Sequence, residues 1–237
     1  MHTLTTETTV RDVVAGDHRA ATVFEKHGID YCCGGARPIG AACREAGVAA
    51  ETVLAELAGL AAAGAADQDY ASWDPAALVD HIVSTHHAYV RNAIPTILAH
   101  TAKVAGKHGE RHAELGEVAR LFEGVAEEMT QHMMKEEHIL FPYIKVLARQ
   151  DASGCPAAPS PFGTVKNPIR MMEIEHENAG HAMRKIRELT GGFAPPADAC
   201  VTYTATLAEL DEFERDLHQH VHLENNILFP RAVEMER

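Results

Sequence analysis

The chain has 237 residues, room for one large domain or one medium and one small. Charged residues make up 23% and hydrophobic ones 46%, with 5% aromatic, an ordinary soluble balance suited to helices. A formal net charge of −13 argues against nucleic acid as the main partner, since phosphate binding needs clustered Lys and Arg.

No apolar run approaches the ~20 residues that a membrane helix requires. The N-terminal MHTLTTETTVRDVV lacks a basic stretch followed by an apolar one, so no export signal is visible and a cytoplasmic protein is expected. Five cysteines, an odd number and unevenly spaced, do not suggest a disulfide framework.

Residues 1–63 form a small helical module. Thr9 caps a short helix over 10–15, and Asp17 caps another that runs through Val23 and Phe24 to Lys26 and ends at Gly28. After the turn sequence GIDYCCGGARP, Pro38 sits in the first turn of a helix through Cys43 and Glu45, and a last helix covers 50–60. Such a module is too small to be very stable alone. Cys32 and Cys33, followed by two glycines, sit in a turn whose backbone amides can lower a thiol pKa. They read either as a thiol site that carries electrons, binds metal or nitrosyl, or contacts a client protein, or as two small, partly buried apolar residues. Cys43, Cys155 and Cys200 are isolated and read as structural or incidental.

Residues 64–74 read as a linker, with Asp74 and Pro75 as cap and first residue of the next helix. From 75 to 237 the pattern predicts four long helices, at about 75–105 (kinked at Pro95), 112–147, 168–189 and 198–234. The loops between them suit antiparallel neighbours, so an all-α, up-down-up-down four-helix bundle is expected after the small N-terminal domain.

Two segments of the bundle nearly repeat. HMMKEEHILFP runs from His132 to Pro142 and HVHLENNILFP from His220 to Pro230. Their flanks place Leu121, Val125, Met129, Ile139 and Leu140 on one helical face, and Leu210, Phe213, Leu217, Ile227 and Leu228 on the other. His132 and Glu136 belong to the first face and His220 and Glu224 to the second, four residues apart and hence one above the other. Buried imidazole and carboxylate are costly unless paired, and a duplicated pair points to a shared metal site between facing helices. Upstream, Val83, His87, Val90 and Ile94 form one stripe and Met172, His176, Ala179 and Met183 another. His87 precedes His132 by 45 positions and His176 precedes His220 by 44. His86 falls about 100° around the helix from His87 and out of step with the stripe. Pro142 and Pro230 occupy equivalent places just past the metal-facing turns and are expected to bend their helices.

Four His and two Glu are too many donors for one closed tetrahedral zinc. They suit two metals bridged by two carboxylates, each metal also holding two His, with room for a bridging oxygen and an exogenous molecule. Iron or manganese fits this mixed donor set, although zinc or copper can bind more tightly in vitro. Glu128 and Asp216 stand four residues before His132 and His220 and read either as acceptors of the free ring N–H of a ligand His or as solvated acids at the bundle rim. Glu175, beside His176, is a further candidate, lining an access path.

GIDYCCGG, HMMKEEHILFP and HVHLENNILFP, in this order over essentially the whole chain, resemble the iron–sulfur cluster repair proteins, the repair of iron centres family. The resemblance implies a hemerythrin-like bundle after the domain with the cysteine pair. Its non-haem di-iron centre would have His87, His132, His176 and His220 as terminal ligands and Glu136 and Glu224 as bridges. It further implies induction under nitrosative and oxidative stress and restoration of damaged iron–sulfur proteins, the clients, by supplying iron. Ligand count and resemblance together give a site open to nitric oxide, oxygen or peroxide, with Cys32 and Cys33 relaying electrons from an unnamed donor or receiving iron. Two other classes fit the same residues: a nitric oxide reductase, and a gas or iron sensor.

Overall fold

The computed structural model describes residues 4–62, 69–154 and 159–237; positions 64–68 of the expected linker, and Cys155, lie outside them. The chain is all-α. Among the described residues the only β pairing is a single bridge between Thr9 and Pro38.

In the N-terminal module α1 (Val10–Gly16) starts where the Thr9 hydroxyl accepts from the Asp12 amide at 3.3 Å. The second helix, α2 (Ala20–Lys26), begins later than its expected cap. Asp17 instead turns its carboxylate to the Arg19 amide at 3.0 Å and to the Arg19 guanidinium at 2.7 Å. Gly28, at φ +66°, then reverses the chain in a conformation that disfavours any side chain. Pro38 lies one residue outside α3 (Ile39–Ala46), as its extended N-terminal cap. Then comes α4 (Ala50–Ala62), and a 3₁₀ turn at Tyr70–Ser72 leads to the bundle.

The bundle has four rods. Asp74 accepts from the amides of Ala76 and Ala77, at 2.9 and 3.1 Å, to start α5 (Pro75–Ile82). A wide π turn, Val83–His87, joins it to α6 (Ala88–His108) to complete the first rod. The second rod is α7 (Glu114–Lys135), a π turn at Glu136–Leu140, and α8 (Phe141–Ser153). The third is the uninterrupted α9 (Lys166–Leu189). The fourth is α10 (Val201–His222), a π turn at Leu223–Leu228, and α11 (Phe229–Met235). Helix α6 packs on α7 and α10, and α9 packs on the same two, so consecutive rods are neighbours and the fourth closes on the first.

The expected bends take a specific form. Pro142 and Pro230 carry no N–H, and their rings crowd the carbonyls four residues back. In both rods the helix widens into a π turn immediately before the proline, and Glu136 and Glu224 lie in those turns. Pro95, by contrast, is carried within a continuous α6.

Two apolar clusters fill the interior. One joins the module to one end of the bundle, with Val10, Phe24 and Ile39 packed into the same cluster as Val90, Phe122 and Phe213. The other holds the opposite end, around Leu78, Ile144 and Leu228. In every rod the candidate donors fall in sequence at the boundary between these clusters. Six polar side chains are thus placed across the middle of an apolar core.

Candidate metal centre

His87, His132, Glu136, His176, His220 and Glu224 are all fully buried. They form two four-donor sets, His87 with His220 and His132 with His176, and both sets include Glu136 and Glu224. Within each set the donor atoms lie within 4.8 Å of one another. The Nε2 atoms of His87 and His220 approach to 3.1 Å, and those of His132 and His176 to 2.9 Å. Glu224 reaches both sides, with Oε1 2.9 Å from His220 Nε2 and Oε2 3.1 Å from His176 Nε2. Glu136 Oε2 does the same, 3.2 Å from His132 Nε2 and 3.4 Å from His87 Nε2.

The outward ring nitrogens are held by groups that only accept. His87 Nδ1 donates to Glu137 at 2.7 Å, His132 Nδ1 to Glu175 at 3.0 Å and His176 Nδ1 to the Asn225 side-chain oxygen at 2.9 Å. A neutral ring that donates from Nδ1 presents its Nε2 lone pair inward. Three such lone pairs and two carboxylates therefore converge in a space without water contact. Among the described residues Glu136 Oε1 has no partner, and the other oxygens of the two carboxylates face imidazole nitrogens. Buried anionic oxygens of this kind are tolerable only opposite positive charge. Cations satisfy that demand, so the donor set fits a metal pair.

The titration behaviour has the same cause. Burial pushes the His87 imidazole down, but Glu136 and Glu224 outweigh it and lift its pKa to about 10. Burial also opposes charge on His132, and the adjacent Glu136 overcomes it, again to about 10. The hydrogen bond from His132, with Lys135 beyond it, draws Glu175 down to about 2. Protons thus take the place of cations on His87 and His132 when nothing else balances the carboxylates. At His220, by contrast, burial outweighs Glu224 and holds the imidazole below its ordinary value.

Not every expected carboxylate is where its spacing suggested. Glu175 meets His132 across the bundle rather than only lining a path beside His176. Glu128 is exposed and is not among the partners of the four imidazoles. Asp216 does not serve His220: its Oδ1 accepts from His86 Nδ1 at 2.8 Å, and among the described residues His220 Nδ1 has no partner. A residue four back stands above its His on the same helix. The outward nitrogens of His87, His132 and His176, however, point sideways and meet acceptors on a neighbouring rod. His86 itself is buried, with its ring stacked parallel to His220 at 5.8 Å. Ile139, placed by periodicity on the inward face, is 49% exposed, because the π turn shifts the helical register between Glu136 and Leu140.

Two orienting residues were missed. Glu137 and Asn225 each directly follow a candidate bridging Glu in the two repeats, and that shared position was the signal available in the sequence. A third, Asn226, ties the module to the site. Its side-chain amide donates to the carbonyls of Tyr31 and Cys32 at 3.0 and 3.2 Å. Glu224, Asn225 and Asn226 thus face, in succession, the donor cluster, the orientation of His176, and the cysteine turn. The close approach depends on Gly35, where an added Cβ would meet the Tyr31 carbonyl at 2.5 Å and the Asn226 oxygen at 3.0 Å.

Cys32 and Cys33 are both free, with sulfurs 3.9 Å apart. Cys32 is buried and Cys33 half-buried.

Comparisons with known proteins match the same two parts of the chain. Residues 6–61 match the model of a domain of unknown function, DUF542, and residues 78–232 match the hemerythrin HHE cation binding domain. A probable iron-sulfur cluster repair protein of Haemophilus influenzae is 36% identical over 90% of this chain and 91% of its own length. The iron-sulfur cluster repair protein YtfE of Escherichia coli is 35% identical, covering 91% of both chains. The protein of that name in Citrobacter koseri is 34% identical with the same coverage. A cysteine-bearing helical module docked on a hemerythrin-type cation-binding bundle, matched along nine-tenths of its length, places this chain in the iron–sulfur cluster repair family.

Proposed function

We propose that the chain binds two non-haem iron ions, with Glu136 and Glu224 as bridges and His87, His132, His176 and His220 as terminal ligands. We propose further that it restores iron–sulfur clusters damaged by nitrosative or oxidative stress in the cytoplasm by supplying iron. The carrying observation is that two four-donor sets share both carboxylates. The names of its relatives support the repair role. Donors of imidazole and carboxylate type suit iron, and a pair of such metals held by them would supply redox chemistry toward nitric oxide, oxygen or peroxide.

The chain's own residues set the terms of holding and release. Glu137, Glu175 and Asn225 fix three imidazoles in the tautomer that presents Nε2 inward, so binding requires no reorientation. Lys135 pairs with Glu175 at the half-exposed edge of the centre, and Arg91 pairs with Glu137 at 2.8 Å. Only these outer carboxylates, and not the bridging ones, carry neutralising side chains at the surface. Loss of iron therefore requires protons or a competing ligand to reach the buried pair. Cys32 and Cys33, in the turn whose Tyr31 and Cys32 carbonyls accept from Asn226, form a thiol site that passes electrons or accepts iron.

The test is transfer. Protein loaded with iron, mixed with a client apo-protein, a cysteine desulfurase and cysteine, should lose iron stoichiometrically as the client regains its cluster absorbance. Catalytic turnover of nitric oxide without iron loss would favour a reductase, and reversible gas binding with neither would favour a sensor.

A further inference from the structure

A cleft of about 420 Å³ opens between the module and the bundle, within the size range of sites for small organic molecules. One wall is the turn with Asp30, Cys32 and Cys33; the other is the face of α9 with Gly180 and Arg184, beside Arg187 and Arg215. Four cations line it, Lys26, Arg184, Arg187 and Arg215, against the carboxylates of Glu25, Asp30 and Glu214, on a chain of net charge −13. Arg187 is committed to Glu214 and Asp211, and Arg215 to Asp211. Arg184 is exposed and makes no ion pair or hydrogen bond among the described residues. Gly180, one turn before it, leaves the floor open: a Cβ there would meet nothing within 4 Å.

The two thiols are not equivalent. Asp30 Oδ1 accepts from the Cys32 and Cys33 amides at 3.1 and 3.0 Å and from the Cys32 thiol at 3.3 Å. Cys33 beside it, burial and the Asp30 charge all push the Cys32 thiol upward, so it stays protonated. Cys33, half-buried, is the less buried of the two cysteines that line the cleft.

We infer that this cleft is the docking site of a small peptide thiol bearing carboxylates, held by Arg184 and exchanging with Cys33. This rests on the reading of the cysteine pair as a thiol site and names the chemical class of its electron donor. In the oxidising direction Cys33 Sγ displaces one thiol from the corresponding small disulfide. A Cys33–peptide disulfide forms as the original S–S bond breaks, and the Cys33 proton leaves on the released thiol. Cys32 Sγ then displaces the second thiol, which takes the Cys32 proton, and the pair closes as a disulfide. Two electrons pass from the pair to the small disulfide, and the reverse sequence lets two small thiols reduce the pair.

The test uses the full chain and needs neither iron nor a client. Mixed-disulfide formation is followed by mass spectrometry with glutathione disulfide, which is anionic, and with hydroxyethyl disulfide, which is neutral. Cys32→Ser, which cannot release the bound peptide, should hold the glutathione adduct at Cys33 and serves as the background for the variants below, and Cys33→Ser should abolish that adduct. Arg184→Glu should slow the anionic probe at least several-fold at low salt and leave the neutral one unchanged. Gly180→Leu, which strengthens the helix while filling the floor, should slow both. An unaltered rate with glutathione disulfide in Arg184→Glu or in Gly180→Leu, or an adduct mainly on Cys43 or Cys200, would overturn the inference. Because no metal is involved, failure here leaves the iron-repair reading standing, and failed iron transfer leaves this one standing.

Discussion

The segments 132–142 and 220–230 share six residues in register, yet they meet different surroundings. Inward they agree: each contributes one His and one Glu to the centre, and each opens into a π turn before its proline. Outward they part. Met134 is 53% exposed whereas its counterpart His222 is 2% exposed, and the shared Ile is 49% exposed at 139 but 4% at 227. The second segment packs against α1 and the 3₁₀ turn at Tyr70–Ser72, while the matching face of the first is open. Duplication therefore explains the metal-binding side of the motif. The outer positions have been given over, in one copy only, to holding the cysteine module.

The strongest way to break this comparison is at the shared carboxylates. Glu136→Leu and Glu224→Leu should each lower iron from about two to below one per chain, since each carboxylate serves both donor sets. Metal analysis after purification from iron-replete cells reads this, and retention of full iron in either variant removes that Glu from the centre. Next come the residues just after them. Glu137→Ala and Asn225→Ala should each weaken metal affinity by about 10–100-fold, measured by chelator competition, because each leaves an imidazole without its orienting acceptor.

The outer side breaks at smaller cost. Gly35→Ala drives a Cβ against the Tyr31 carbonyl and should destabilise module docking by about 1–3 kcal/mol. Amide exchange should then rise across residues 10–46 while that of 114–135 stays put; uniform protection would refute the close-approach argument. Asn226→Ala forfeits hydrogen bonds to two carbonyls and should cost about 1–2 kcal/mol in denaturant unfolding. Among the described residues its counterpart His138 hydrogen-bonds only the Met134 carbonyl of its own rod, so His138→Ala should stay within about 0.5 kcal/mol. Equal effects would mean that the two outer faces do not differ as described.

Much of this was legible in the sequence, for identifiable reasons. The four rods follow from apolar periodicity, and the six donors from a periodic stripe that occurs twice, so a coincidence in one half was checked by the other. The surroundings of the donors were less legible. Glu128 and Asp216 were placed by spacing within one helix, but hydrogen bonds to the outer ring nitrogens cross between rods, where the partner's sequence position is arbitrary. Glu175 lies 43 positions from His132, and Asn226 lies 195 from Tyr31. The burial of His86 against Asp216, 130 positions away, has the same origin. The prolines signalled a bend, but that the bend would be a π turn holding a donor Glu depends on how the rods pack.

The most direct test of a centre built by two halves in common is Mössbauer spectroscopy, together with iron content, on wild type purified from iron-replete cells. About two irons per chain, as a spin-coupled diferric pair in similar environments, is the predicted result. One tightly held zinc, or two magnetically independent irons, would contradict bridging by Glu136 and Glu224.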